Sequence, residues 1–184
     1  SLKELVAAAK KEPGKFTYGS AGIGGSQHLA GAQFKTASGA DIRHVPYKGS
    51  GPAAQDLIAG HIDMMIDTGS LGSIRSGLLR PLAVASEKRL PALPDVPTFK
   101  ELGYNGFDGQ QWYGLVGPAN LPPAIVTKLN TELNKVLALP EFSEKMTSEA
   151  MTLMPMTPPQ FANYIKEDIA RWAKVAKDRN IEIE

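Results

Sequence analysis

The sequence predicts an α/β fold built on a mainly parallel sheet, and three observations carry that expectation. Short apolar runs alternate with segments of helical spacing along the first 85 residues. Each of the first three runs is followed by a loop rich in glycine or serine and then by a helix. Alternation of this kind implies right-handed crossovers between parallel strands, and it gathers the loops leaving the strands' carboxyl ends on one edge.

Taken in order, Leu2, Leu5, Val6 and Ala9 follow helical spacing, and Pro13-Gly14 stops that helix. Residues 16–18 read as the first strand, followed by the loop 19–26 and a helix carrying Leu29, Ala30, Gln33 and Phe34. Residues 42–47 read as the second strand, followed by Lys48-Gly49-Ser50-Gly51 and a helix over 52–58. Residues 62–66 form the third, followed by Asp67-Thr68-Gly69-Ser70 and a helix to about residue 76, and residues 80–85 make a fourth strand. Pro91, Pro94, Pro97, Gly103 and Gly106 mark an irregular crossing, which places a domain boundary between 1–105 and 106–184. Beyond it, residues 110–118 read as one further extended segment. Apolar residues at 125, 126, 129, 133, 136 and 137 mark an amphipathic helix that Pro140 ends. A short helix over 141–150 leads into a strand or extended edge over 151–156, where Met151, Met154 and Met156 fill a core or edge. Thr157-Pro158-Pro159-Gln160 is a capping box with proline at the first helical position. The helix it opens shows Phe161, Ile165, Ile169, Trp172 and Val175 on one face, with Trp172 in the core.

Composition narrows the function. With 184 residues the chain is long enough to bury a real core, and a net charge of +1 argues against a nucleic-acid binder driven by bulk positive charge. The absence of cysteine removes disulfides, thiol nucleophiles and Cys-type zinc sites. The longest apolar runs are far too short to span a bilayer. No charged-then-apolar stretch opens the chain, so a targeting segment is expected to have been removed or to lie upstream.

The loop 19–26 is the most informative segment. A helix start leaves its first amides unpaired and carries partial positive charge, and small residues let an anion approach. Ser20 and Ser26 add hydroxyl donors, so the loop suits a carboxylate or phosphate. It is not a P-loop, because no Lys-Ser/Thr follows the glycines, and Gln27 stands where a dinucleotide fingerprint requires a third glycine. Tyr47 at a strand end is placed to wall a pocket and donate its hydroxyl, and Lys48 beside it reads as a solvated charge. Met64-Met65-Ile66-Asp67-Thr68-Gly69-Ser70 resembles an aspartic-protease signature, but that chemistry needs a second aspartate sharing a proton. Asp67 reads better as a carboxylate that caps the next helix or holds the pocket loops. Ser20 lacks the glycine spacing of a nucleophile elbow, and His28, His44 and His61 are dispersed, so neither a triad nor a zinc site is expected. His28, in the first helical turn beside the loop, suits capping and reaches a ligand as its alternative. Trp112 and Tyr113 either cover a ligand or pack.

The segments Tyr18-Gly19-Ser20-Ala21-Gly22-Ile23-Gly24-Gly25-Ser26-Gln27-His28-Leu29-Ala30-Gly31 and His44-Val45-Pro46-Tyr47-Lys48-Gly49-Ser50-Gly51-Pro52-Ala53 resemble signatures of the Bug-type (TctC-like) solute-binding proteins of tripartite tricarboxylate transporters. Further matches follow in order at Asp56–Asp63, Arg80–Val84, Leu93–Thr98 and Trp112–Leu115, and the resemblance runs to Trp172. It implies a type II periplasmic-binding-protein-like fold, with two lobes of mainly parallel sheet that close on a small mono-, di- or tricarboxylate. It implies no enzyme activity, no cofactor, no metal and no nucleic-acid partner. It also implies a periplasmic location and delivery of the ligand to membrane transporter subunits. By position, Ser20, Ala21, Gly22, Gly24 and Ser26 would form the second lobe's carboxylate cradle, with Asp67 and Thr68 ending the strand that faces the cleft; His28 and Tyr47 join them as ligand-contact candidates on the reading of the residues above. Ile23 and Gly25 depart from the Asn and Ser frequent in the family. Family members begin with further strands before anything matching Ser1, so the chain is expected to be truncated. Residues 1–105 would then be the second lobe and 106–184 the returning portion of the first. The C-terminal helices would expose apolar faces, with a second copy as one cover. Two other classes compete: a ligand-sensing effector domain of a regulator with the same fold, and an aspartic-type hydrolase using Asp67.

Overall fold

A computed structural model describes residues 1–105, 107, 109 and 111–178 of the chain. Two compact units emerge, Ser1–Gln111 with Val175–Glu184, and Trp112–Lys174.

In the first unit α1 (Leu2–Lys11) opens with a complete capping box: the Ser1 hydroxyl accepts from the Glu4 amide, and the Glu4 carboxylate reaches back to the N-terminal nitrogen. Its spacing presents Leu2, Val6 and Ala9 to a core shared with Tyr18, Phe34, Ala40, Ile42 and Phe99. The sheet is parallel with order β2-β1-β3, from β1 (Thr17–Ser20), β2 (Arg43–Pro46) and β3 (Met64–Met65). Tyr18 stands opposite both His44 and Met64, which makes β1 the central strand. All four residues of β1 are buried, as a strand flanked on both sides requires. The intervening helices are α2 (Ser26–Ser38) and α3 (Ser50–Ala59), followed after β3 by α4 (Leu71–Arg75). Gly31 in α2 lets that helix lie against the sheet: a Cβ there would sit 2.1 Å from Tyr18 Cε2.

The expected fourth strand over 80–85 is corrected. Only an isolated parallel bridge forms, Val84 with Thr98, in which the Val84 amide donates to Pro97 O and the Phe99 amide to Val84 O. Pro81 has no N–H to give a ladder, so pairing is confined to the end of the segment. The third strand is shorter than expected, because only Met64 and Met65 pair.

In the second unit α5 (Pro123–Leu137) and α6 (Pro140–Ser148) each carry proline at the helix start, followed by α7 (Pro158–Asp178), whose residues to Lys174 belong to this unit. The capping box of α7 is present: Gln160 Oε1 accepts from the Thr157 amide, and the Thr157 hydroxyl accepts from the Gln160 amide. Trp112 packs edge-on against Phe161 and Tyr164, and its Nε1 donates to Asp168, which also holds Arg171. Trp172 is half-buried beneath the Arg171 guanidinium rather than in a core, and Ile169 is exposed, so the inner face of α7 runs through 161, 164, 165, 168 and 172. Residues 151–156 pair with no strand among the described residues. Instead Met156 O accepts from the side-chain amides of Asn130 and Asn134 on α5. The extended segment expected over 110–118 likewise joins no sheet over 111–118, and its first residue lies outside the described residues.

Candidate functional site

Because both of its neighbours run parallel to β1, the loops after β1, β2 and β3 emerge on one edge. Pairing continues past the strands. The Tyr47 amide donates to Ser20 O at 3.0 Å, and the Gly49 amide to Ala21 O at 3.2 Å, so the start of the second loop lies along the first.

Within the β1–α2 loop, several donors are already used. Gln27 Oε1 accepts from the Ala21 amide at 2.7 Å, and Ser20 Oγ accepts from the Gly22 amide at 3.2 Å. His28 Nδ1 accepts from the Gly24 amide at 3.0 Å. Gly24 has φ 76°, a conformation that side chains disfavour and that turns its amide onto the ring. The expected cradle residues Ser20, Ala21, Gly22 and Gly24 therefore shape the loop with their polar groups. Ser26 opens α2. The first-turn amides of that helix have no intrahelical acceptors, and Gly25 at the N-cap supplies no side chain to cover them.

Two imidazoles that are far apart in sequence come together here. His28 and His44 stack with ring centroids 3.9 Å apart, and Tyr18 stacks on His44 at 4.8 Å. Ser20 Oγ donates to Gly22 O at 2.9 Å and lies 2.6 Å from His44 Nε2. A hydroxyl has one proton, so with that proton on Gly22 O the network assigns a proton to His44 Nε2. His28 must be unprotonated at Nδ1 to accept from Gly24. Burial holds both imidazoles below their usual range. For His44 the value falls to about 4, with burial foremost and the His28 ring and the Lys35 ammonium contributing. The Ser–His contact has the distance of a nucleophile pair, yet Ser20 is 0 % exposed, so no substrate carbonyl reaches its hydroxyl.

Asp67 holds loops, in agreement with its sequence reading. Its Oδ2 accepts from the Gly69 amide at 3.0 Å and the Ser70 hydroxyl at 2.6 Å, and its Oδ1 accepts from Gln27 Nε2 at 2.6 Å. Thr68 is exposed and its hydroxyl donates to Gln111 Oε1. The Tyr47 hydroxyl donates to Asp56 at 2.8 Å, and His61 Nδ1 lies 3.2 Å from the same carboxylate, so Tyr47 braces α3. Tyr113 is exposed, while Trp112 packs within the second unit. Sequence reasoning gave Gln27 and His44 no role in the site, because Asp67 lies 40 residues from Gln27 and Ser20 lies 24 from His44. Among the described residues no group of three or more His, Cys, Asp or Glu is placed to hold a metal ion. No helix among them is long and apolar enough to cross a membrane.

The chain matches, over residues 1–181, the family described as "Tripartite tricarboxylate transporter family receptor". It is 38 % identical over 177 residues to the UPF0065 protein in the tcbD–tcbE intergenic region of Pseudomonas sp. strain P51, covering 95 % of this chain and 53 % of that one. A Rhodopseudomonas palustris protein solved with adipate superposes with TM-score 0.93 at 34 % identity, over 98 % of this chain and 61 % of the other. The periplasmic binding protein BugD superposes with TM-score 0.90 at 35 % identity, over 100 % of this chain and 62 % of its own. The chain thus spans about half the length of the curated relatives it matches. Its mixed α/β fold with a parallel sheet is that of the periplasmic binding proteins it superposes on, and the chain belongs to the Bug-type, TctC-like family of tripartite tricarboxylate transporter receptors.

Proposed function

We propose that this chain supplies one carboxylate-holding edge of an extracytoplasmic solute-binding protein, which captures a small organic acid and delivers it to membrane transporter subunits. One observation carries the reading: three loops leave one edge of a parallel sheet, and the first turn of α2 opens there with amides that no side chain caps. The partial positive charge of a helix start favours a carboxylate at that point. Capture without chemistry fits a site whose serine and aspartate are both tied into loop structure. Residues 1–105 are assigned to the second lobe and 106–184 to the returning part of the first. In this arrangement Ser20, Ala21, Gly22 and Gly24 wall the cradle, the turn from Ser26 to His28 donates to the ligand, and Tyr47, Asp67 and Thr68 hold the flanking loops. A dicarboxylate is the favoured class, supported by the adipate present in a structural relative.

A thermal-shift panel of mono-, di- and tricarboxylates tests the reading. Ligand at about 100 times its Kd adds roughly 2.7 kcal/mol, a rise on the order of 5–10 °C for a chain of this size. A selective rise with one class of acid is expected. A cooperative melt that no acid moves would overturn the reading.

A further inference from the structure

Gln27 is a polar side chain that is only 8 % exposed and is bonded at both ends. Its Oε1 takes the Ala21 amide of the β1–α2 loop, and its Nε2 donates to Asp67, whose other oxygen holds Gly69 and Ser70 of the β3–α4 loop. Gln27 is also the second residue of α2, so one side chain ties the open end of that helix to two loops. The chemistry required is narrow. The group must accept at one end and donate at the other, which a carboxylate beside Asp67 does not do and a thioether does at neither end. It must also be neutral. Acidic side chains are favoured in a first helical turn because they occupy its positive field, and the first turn of α2 contains none.

We propose that Gln27 is the positioning residue of this edge: its amide locks the first turn of α2 to both loops, and its neutrality leaves the turn's positive field for the ligand. This role rests on reading the edge as a carboxylate site.

Two variants of the full chain test it, with adipate as the probe and exchange of the Ala21 amide as an independent readout. Gln27→Met keeps the volume and removes both bonds. Ala21 exchange is expected to quicken and adipate affinity to fall about tenfold, a loss that added salt does not reverse. The paired exchange Q27E with D67N keeps net charge and every bond. The carboxylate then stands at position 27, accepting from the Ala21 amide and from the side-chain amide introduced at position 67. Ala21 protection should return, while the charge displaced to position 27 leaves adipate binding about tenfold weaker than wild type, a loss that salt largely fails to screen at this buried position. Unchanged Ala21 exchange in Gln27→Met overturns the role, as does faster exchange with undiminished adipate affinity. If Gln27→Met does not fold, the paired exchange decides, and Ala21 protection with adipate affinity equal to wild type overturns the proposal. Wild-type chain that binds neither adipate nor any other acid of the panel removes the carboxylate edge and this role with it. Ala21 exchange then still reports separately whether Gln27 holds the loop.

Discussion

Helices α1 and α5 are both amphipathic, yet they end in opposite environments. In α1 the apolar positions Leu2, Val6 and Ala9 are buried against Phe34, Ile42 and Phe99 of the same unit. In α5 no residue is buried, and Ile125, Leu129, Leu133 and Val136 are between 37 % and 46 % exposed. The periodicity of a helix specifies which face wants cover. What covers it depends on elements elsewhere, and for α1 those elements lie in the same unit. The first unit accordingly has a closed core on which a loop edge can be held to fixed geometry, and that is the unit carrying the candidate site.

The sharpest test of this contrast is Phe34→Ala. Phe34 is 1 % exposed and meets Phe99, Tyr104 and Phe107 edge-on, so its removal should cost about 3–5 kcal/mol in denaturant unfolding. A loss below about 1 kcal/mol would mean that the core of the first unit is not closed. Next in size is Gly31→Ala. The added methyl would overlap the Tyr18 ring, so α2 must shift, and about 1–3 kcal/mol should be lost although alanine is the better helix former. Stabilisation by that substitution would contradict the close approach of α2 to β1.

Acid should act next. His44 is held to about 4 and His28 is also lowered, so the native state favours neutral rings while the unfolded chain takes up protons below pH 6.5. Stability from this stack is therefore present above pH 6.5 and declines as pH falls toward 4. Discounted for partial exposure, the loss is about 1 kcal/mol. A carbon-detected histidine titration should place the His44 midpoint near 4, and a midpoint at 6.5 would contradict the stacked, hydrogen-bonded pair. The smallest effect belongs to α5: Leu129→Gln, at a position 46 % exposed, should change stability by less than about 0.5 kcal/mol.

Much of the first unit is legible in its sequence, because apolar runs of strand length, glycine loops and helical spacing all agree there. The loop edge follows from parallel topology alone. Its internal wiring does not. Gln27 and Asp67 are 40 residues apart, and nothing local in either segment specifies their bond. His28 and His44 look dispersed in the chain, but the register that sets Tyr18 opposite His44 brings the rings together. A polar residue with no loop function, just inside a helix after a glycine loop, is the signal that would have drawn attention to Gln27. The strand expected over 80–85 has the right composition, and Pro81 defeats it by withholding a ladder donor. Ile169 fits the apolar spacing of α7 but lies on its outer side, because Tyr164 and Asp168 hold the inner face to Trp112.

The central claim is that the three-loop edge of the first unit holds a carboxylate. Titrating adipate into the ¹⁵N-labelled chain tests it most directly. Saturable shifts of the Ser26, Gln27 and His28 amides and of the loops around residues 48 and 68 are expected, with the α5 amides unmoved. Shifts centred on α5 or α7, or none at saturating adipate and across the other acids, would contradict it.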